Sequence, residues 1–560
     1  MTQYQGYDVT DATHKTSIHN EWKTVVAKKK PIRGVTLTIG VFFDGTGNNR
    51  ENTASRLMKF NECSAPKQGM NQKDAQSCED FSNAITKDSL SNGSYRGYYS
   101  NIHWLNLLYK PNQLLSENQT IAQIKTYISG IGTAADKSDS AIGMGLGTSI
   151  LDMFEGVVTK TDEAMEGISR ALLEFMEFNV NPDFCIAKIH FDVFGFSRGA
   201  AAARHFANRV MEQDPAIASA IEKGLRGDFY DGKPSGQVRF LGLFDTVAAI
   251  GGISNFFDIN GRSNPRVKLE LRPSVAKKVF QITAMNEYRY NFSLNSIQGM
   301  WPELALPGAH SDIGGGYNPV GSSLQENESL FLSCPEFEIV SDDTRETDTR
   351  VYRNAEKARE MLTSLPALKH ILPHGKITTK TRSVGVINSN QRRAGMIQKQ
   401  VGAAVFFERM AVPNEWANVC LRVMLDAAQE AGGIFEPIRQ TNKELQLPSE
   451  LISLADKAIA QGKAVRLGQE PQAFTEDERL LIGKYTHCSA KWNIESDRNL
   501  WVDPKTGEIF IHRFGPKEDK TFVFPNKPND RWVRSVWYMD DQQRLNDNEA
   551  KNDDIMASYY

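Results

Sequence analysis

The hydrophobic pattern of this chain changes rhythm repeatedly between short apolar runs and amphipathic stretches of helical period. Apolar runs at 35–43, 121–128, 184–194, 238–244 and 279–285 predict strands, most of them too apolar to have a solvated face. Between them, 101–109 and 199–211 predict helices, and 161–178 carries Met165, Ile168, Leu172 and Phe175 at helical spacing. Strands that alternate with helices imply a mostly parallel sheet wrapped on both faces, with its ligand at the carboxyl ends of the strands. Residues 1–33 are polar and predict a surface arm, and 50–100 is an Asn-, Ser- and Lys-rich insertion after the first strand. Beyond 322 the rhythm changes. An acidic, loop-like tract at 326–349 precedes helices at 353–368, 415–431 and 447–464, then short strands at 509–514 and 521–524 and an aromatic segment at 531–538. The expected division is an arm (1–33), an α/β domain (34–321) and a helical cap with a small mixed C-terminal module (322–560).

The chemistry concentrates where a strand meets a helix. Gly195-Phe196-Ser197-Arg198-Gly199 follows the run 184–194 and precedes Ala200–Ala203, the strand–turn–helix setting of a nucleophile elbow. Such a turn strains the serine backbone, so positions two residues away on either side must lack bulk. The alternative is an ordinary turn with a helix-capping serine. The fold class is therefore α/β-hydrolase-like, in which the order Ser, acid, His is expected. Asp245 closes the run 238–244 and is the candidate orienting acid; a turn cap is its alternative role. His310, in Pro307-Gly308-Ala309-His310-Ser311-Asp312-Ile313-Gly314-Gly315-Gly316-Tyr317, is the candidate base, and the glycines suggest a loop free to swing over a serine. Asp312 is a secondary acid, although a local turn bond suits it better. After the first strand, Phe43-Asp44-Gly45-Thr46-Gly47 is placed to complete an oxyanion hole, with backbone donors Gly45 and Thr46 beside the N–H of Arg198. Asp44 is a secondary candidate. Asp-Gly-Thr also occurs in haloacid-dehalogenase phosphatases, but the position of their nucleophilic Asp holds Phe42 here.

Bulk properties narrow the class further. A net charge of -3 gives no electrostatic case for nucleic acid. No run of about 18 apolar residues predicts a membrane-spanning helix, and 1–30 lacks the apolar core of a signal peptide. The six cysteines show no metal spacing; Cys63 and Cys78 either pair or remain two thiols. The glycine-rich 143–147 lacks dinucleotide-binding spacing. Near it, Ile150, Leu151, Phe154, Val157 and Val158 form an apolar face suited to core packing or to a lid. No metal or organic cofactor is expected. The aromatic and basic residues around Arg531-Trp532-Val533-Arg534 read as packed surface or a partner surface.

Four motifs in order, Val41-Phe42-Phe43-Asp44-Gly45-Thr46-Gly47-Asn48-Asn49, Gly195-Phe196-Ser197-Arg198-Gly199-Ala200, Phe244-Asp245-Thr246-Val247 and the His310 segment, resemble the antibacterial phospholipase effectors of type VI secretion, the GxSxG class of the Tle family. The resemblance implies Ser197, Asp245 and His310 as a triad acting on acyl esters of glycerophospholipids. It further implies action at a rival cell's membrane from the periplasmic side, a VgrG-type spike as delivery partner, and a cognate immunity protein. Synthesis in the cytoplasm without a signal peptide fits that route. One departure stands out. Relatives carry His-Ala-x-Ala-x-Asp-Glu-x-Arg before the base histidine, where this chain has Gln281-Ile282-Thr283-Ala284-Met285-Asn286-Glu287-Tyr288-Arg289. A hydrolase for other esters and a non-catalytic secreted adaptor on a hydrolase scaffold are the competing functions.

Overall fold

The computed structural model describes residues 33–64, 97–133, 150–179, 183–225, 233–248, 267–289, 292–322, 327–386, 398–490, 494–496, 500–502, 509–511, 521–523, 528–529 and 531–539. Residues 1–32 of the expected arm (1–33), most of the polar insertion, Cys78 and the glycine run 143–147 lie outside the described residues, as do the side chains of Cys63, Ile150, Leu151 and Phe154.

The first half contains strands β1 (Arg33–Phe43), β2 (Ile121–Ile128), β3 (Phe184–Phe196), β4 (Gln237–Phe244), β5 (Lys278–Ala284), β6 (Leu294–Asn295) and β7 (Glu303–Leu306). Its helices are α1 (Arg50–Ser64), α2 (Asn101–Leu108), α3 (Ile150–Phe178), α4 (Arg198–Met211), α5 (Pro215–Leu225) and the short α6 (His310–Gly314). Six strands form one sheet in the order β2-β1-β3-β4-β5-β7, and every neighbouring pair is parallel.

Strand periodicity decides what covers each face. Val35, Leu37, Ile39, Val41 and Phe43 of β1 point to one side, where they pack with Val157, Ile168 and Leu172 of α3 and Ala203 and Phe206 of α4. Phe42, Phe194, Phe240 and Phe280 point to the other side. There they meet α2 and two helices from the second half of the chain, α8 (Glu415–Glu430) and α9 (Ser449–Arg466), through Trp416, Met424 and Leu454. The helices expected as a cap are thus the second layer of the sheet itself. Each face hides a separate apolar cluster, which is what a parallel sheet requires.

Three expectations change. Residues 50–64, assigned to the polar insertion, form α1, because the Asn49 side chain accepts from the N–H groups of Glu51 (3.0 Å) and Asn52 (3.2 Å) and caps its first turn. The acidic tract 326–349 holds β8 (Glu328–Phe331) and β9 (Glu336–Ser341). Two of its acids, Glu336 and Glu338, sit on the edge strand β9 and face Arg350 at the start of α7 (Arg350–Thr363). Both strands pair antiparallel with β11 (Gln398–Arg409), which also pairs β10 (Lys376–Val386), two strands the polar composition concealed. The C-terminal region adds α10 (Glu476–Gly483), β12 (Ile494–Ser496), β13 (Leu500–Val502), β14 (Ile509–Ile511), β15 (Thr521–Val523) and β16 (Val536–Trp537), the last pairing with β6 inside the first half.

Candidate active site

Ser197 sits between β3 and α4 with φ 59° and ψ -127°, a backbone conformation that costs on the order of 1–3 kcal/mol and persists only when surroundings enforce it. They do so through the flanking glycines. A Cβ on Gly195 would lie 2.5 Å from the Gly199 carbonyl oxygen, and one on Gly199 would lie 2.2 Å from that of Asp44. The Ser197 side chain makes no capping bond to α4, so the capping role is not the one it plays. Ser197 N–H donates to Phe244 O (3.1 Å), and Phe196 is in register with Phe244. The residues that follow these two partners, Ser197 and Asp245, therefore emerge side by side from adjacent strands.

Asp245 is completely buried and has a positive φ of 42°. Its Oδ2 lies 2.5 Å from His310 Nδ1, and its Oδ1 accepts from the Ala284 N–H (2.9 Å). With Nδ1–H committed to this carboxylate, the neutral imidazole carries its free lone pair on Nε2. The His310 ring packs on Phe196, the residue before Ser197, at a centroid distance of 4.6 Å, and on Phe292 at 5.0 Å. Burial pushes His310 below the ordinary histidine value, and the Asp245 bond opposes that shift. Burial pushes Asp245 up. The Arg534 guanidinium and His310 outweigh it, and the carboxyl is held well below the usual range.

At the carboxyl end of β3 and β4 the structure joins His310 to Asp245 and sets its ring on Phe196, the neighbour of Ser197, but the histidine is not on a free loop. Its glycines serve close approach instead. A Cβ on Gly314 would fall 2.0 Å from the Phe196 ring, and Gly315 (φ 80°) lets the chain pass against Asn101. Asp312 makes its hydrogen bonds elsewhere than to His310. It caps its own turn through the Ala309 N–H (2.8 Å) and accepts from His487 Nδ1 and the His487 N–H, each at 2.7 Å.

Arg534, read from the sequence as packed or partner surface, reaches the Asp245 carboxylate instead. From the C-terminal segment, its Nη1 and Nη2 donate to Asp245 Oδ1 (2.6 Å) and Oδ2 (2.8 Å). The family segment before the base also finds its roles. Glu287 is buried, accepts from the His310 N–H (3.3 Å) and the Ser489 hydroxyl, and is paired twice by Arg289 (2.7 and 2.8 Å). Burial pushes Glu287 up, but Arg289 prevails and lowers it to about 2. Asn286 accepts from the Gly308 N–H (2.9 Å), and Gln281 accepts from Thr246 and donates to Glu303 (2.8 Å). Asn286 and Gln281, which stand where the family pattern has Asp and His, thus tie down the Gly308 turn and the segment after Asp245.

The loop after β1 lies against the elbow, since a Cβ on Gly45 would meet Phe196 at 2.6 Å. Its expected donors need one correction. The Gly45 N–H is already committed to Asp44 Oδ1 (2.7 Å). The Thr46 hydroxyl oxygen is buried with no partner among the described residues. Asp44 holds the loop: it accepts from Ser100 Oγ (2.6 Å) and Tyr127 OH (2.7 Å). Burial lifts its carboxyl to about 6 against those bonds.

Comparison with known proteins places this geometry. The family model for the type VI secretion phospholipase effector Tle1-like catalytic domain matches residues 222–332, a span that includes Asp245 and His310. A solved structure, the Tle1 effector bound to the VgrG spike of the type 6 secretion system, is 85% identical, covers 96% of this chain and 100% of that chain, and has a TM-score of 0.74. The chain belongs to the Tle1 family of type VI secretion phospholipase effectors. A structure of an uncharacterized protein from Pseudomonas aeruginosa is 16% identical over 85% of this chain and 56% of that chain, with a TM-score of 0.32, a likeness too low to bear on function. No curated protein gives a match. As a Tle1-family member the chain carries a phospholipase catalytic domain.

Proposed function

We propose that this Tle1-family effector hydrolyses an acyl ester of membrane glycerophospholipids, with the sn-1 ester favoured, through a covalent acyl-enzyme. Ser197 Oγ attacks the carbonyl carbon while His310 Nε2 takes its proton, and Asp245 stabilises the imidazolium. Collapse of the tetrahedral intermediate expels the lysophospholipid, which leaves with the proton from His310. Water then attacks the acyl-enzyme, again through His310, and frees the fatty acid. The Arg198 N–H at the start of α4 and Thr46 stabilise the oxyanion. The single observation that carries this proposal is the 2.5 Å contact of His310 Nδ1 with Asp245 beside a serine in a strained elbow.

Delivery by a VgrG-type spike is proposed from the 85% identical Tle1 effector, whose structure is that of a spike complex. Action would follow at the target membrane from the periplasmic side, with a cognate immunity protein protecting the producer. Among the described residues no helix is long and apolar enough to cross a membrane.

The deciding experiment uses vesicles whose phospholipids are labelled separately at each acyl chain, with wild type and Ser197→Ala side by side. Fatty acid released by wild type alone establishes the serine mechanism, and the label names the position. Release only from dispersed short esters would select a non-phospholipid esterase. Unchanged toxicity of Ser197→Ala would select an adaptor role.

A further inference from the structure

We propose that Arg534, supplied by the C-terminal segment 531–539, is a positioning residue of the hydrolytic centre that fixes the Asp245 carboxylate and offsets its charge at His310. The inference rests on the triad assigned above. A guanidinium presents its donors as a planar fork that matches both oxygens of a carboxylate, so the pair sets the carboxylate plane as well as its place. Here the fork takes Oδ1 at 2.6 Å and Oδ2 at 2.8 Å, leaving Oδ2 aimed at His310 Nδ1. Arg534 is itself held: Nε donates to Phe292 O (2.9 Å) and Nη1 to Ala284 O (3.2 Å).

The segment that brings Arg534 is built into the first half of the chain. Trp532 is buried against Tyr288, Val536–Trp537 pairs with Leu294–Asn295, and Met539 joins the core cluster of the main sheet, where its sulfur accepts from the Leu271 N–H (3.2 Å).

Charge balance around the histidine gives the pairing a chemical consequence. The charged groups facing His310 are Asp245 after β4, Glu287 and Arg289 after β5, and Arg534; on its own helix, Asp312 is taken up by His487. Asp245 with Arg534 and Glu287 with Arg289 form two neutral pairs. A buried carboxylate without Arg534 would favour the imidazolium and hold a proton on the base.

The test compares full-length wild type, Arg534→Gln and Arg534→Lys on a soluble short-chain phosphatidylethanolamine, following kcat and KM from about pH 5 to 9 together with thermal melting. Arg534→Gln should lower kcat by about 10²-fold through a misplaced imidazole, leave KM little changed, and move the acid limb of kcat/KM to higher pH. Arg534→Lys should restore the limb, because the charge returns, but not the full kcat, because the fork does not. Wild-type kcat and an unmoved limb in folded Arg534→Gln would overturn the proposal. If Arg534→Gln melts below the assay temperature, Arg534→Lys decides: reduced kcat with a wild-type limb supports the role, and wild-type kcat removes it. Ser197→Ala runs in parallel. An active Ser197→Ala defeats the triad itself, whereas an inactive one beside an unaffected Arg534→Gln defeats only the positioning role.

Discussion

Asp245 and Arg534 stand 289 residues apart in the sequence and meet as a buried two-point ion pair. The contact joins the end of a central strand to a segment near the carboxyl terminus. The second half of the chain also supplies His487, Ser489 and Trp416, whose indole donates to Pro307 O (2.6 Å) ahead of the histidine turn. The groups proposed to react come from the parallel sheet, and the groups that hold them come largely from the second half.

Asp245→Asn is expected to preserve the fold's shape but reduce kcat by roughly 10⁴-fold at neutral pH, since an amide cannot enforce the imidazole tautomer. It also leaves Arg534 buried without its counter-charge, a loss on the order of 3–5 kcal/mol. Urea unfolding beside steady-state kinetics separates the two effects, and an Asn variant with wild-type kcat would exclude Asp245 as the orienting acid.

Gly195→Ala places a methyl within 2.5 Å of backbone on the far side of the elbow, where nothing can yield cheaply. Displacement of the serine by even about 1 Å should cost on the order of 10²-fold in activity. Gly385→Ala serves as the control, because a Cβ there meets nothing within 4 Å. Melting and fatty-acid release on both variants check the contrast.

Two downward shifts set the pH behaviour. Burial holds His310 below its ordinary 6.5, so its basic form survives on the acid side of that value and the acid limb of kcat/KM should have its midpoint below pH 6.5. A midpoint above it would contradict the assignment. Glu287 is lowered from 4.5 to about 2, so its pairing stabilises the fold fully above about 4.5 and is lost as the pH falls toward 2. The stability gap between wild type and Glu287→Gln should therefore be widest at neutral pH and narrow in acid, as read by denaturant titration at each pH.

His487→Ala removes the side-chain donor to Asp312 and the ring stacked on Tyr317 at 3.5 Å. Because that pair braces the turn carrying His310 without touching the serine, kcat is expected to fall by about 10-fold, far less than in Asp245→Asn. A loss as deep as that of Asp245→Asn would give His487 a direct part in the chemistry.

Much of this protein is written locally. The apolar runs that became β1 to β5, the elbow around Ser197, and the candidate acid and histidine that pair in the fold were legible, because strand burial and tight-turn geometry act on neighbouring residues. Less local features were read incompletely. The strands β8 to β11 are rich in charged and polar residues, and their burial against α7 appears only once the sheet is assembled. His487 and Arg534 were legible as residues but not as partners. An ion pair between a strand end and a segment hundreds of residues later imposes no period and no composition on the chain between them, so only the folded backbone could decide that the Arg534 guanidinium reaches the Asp245 carboxylate.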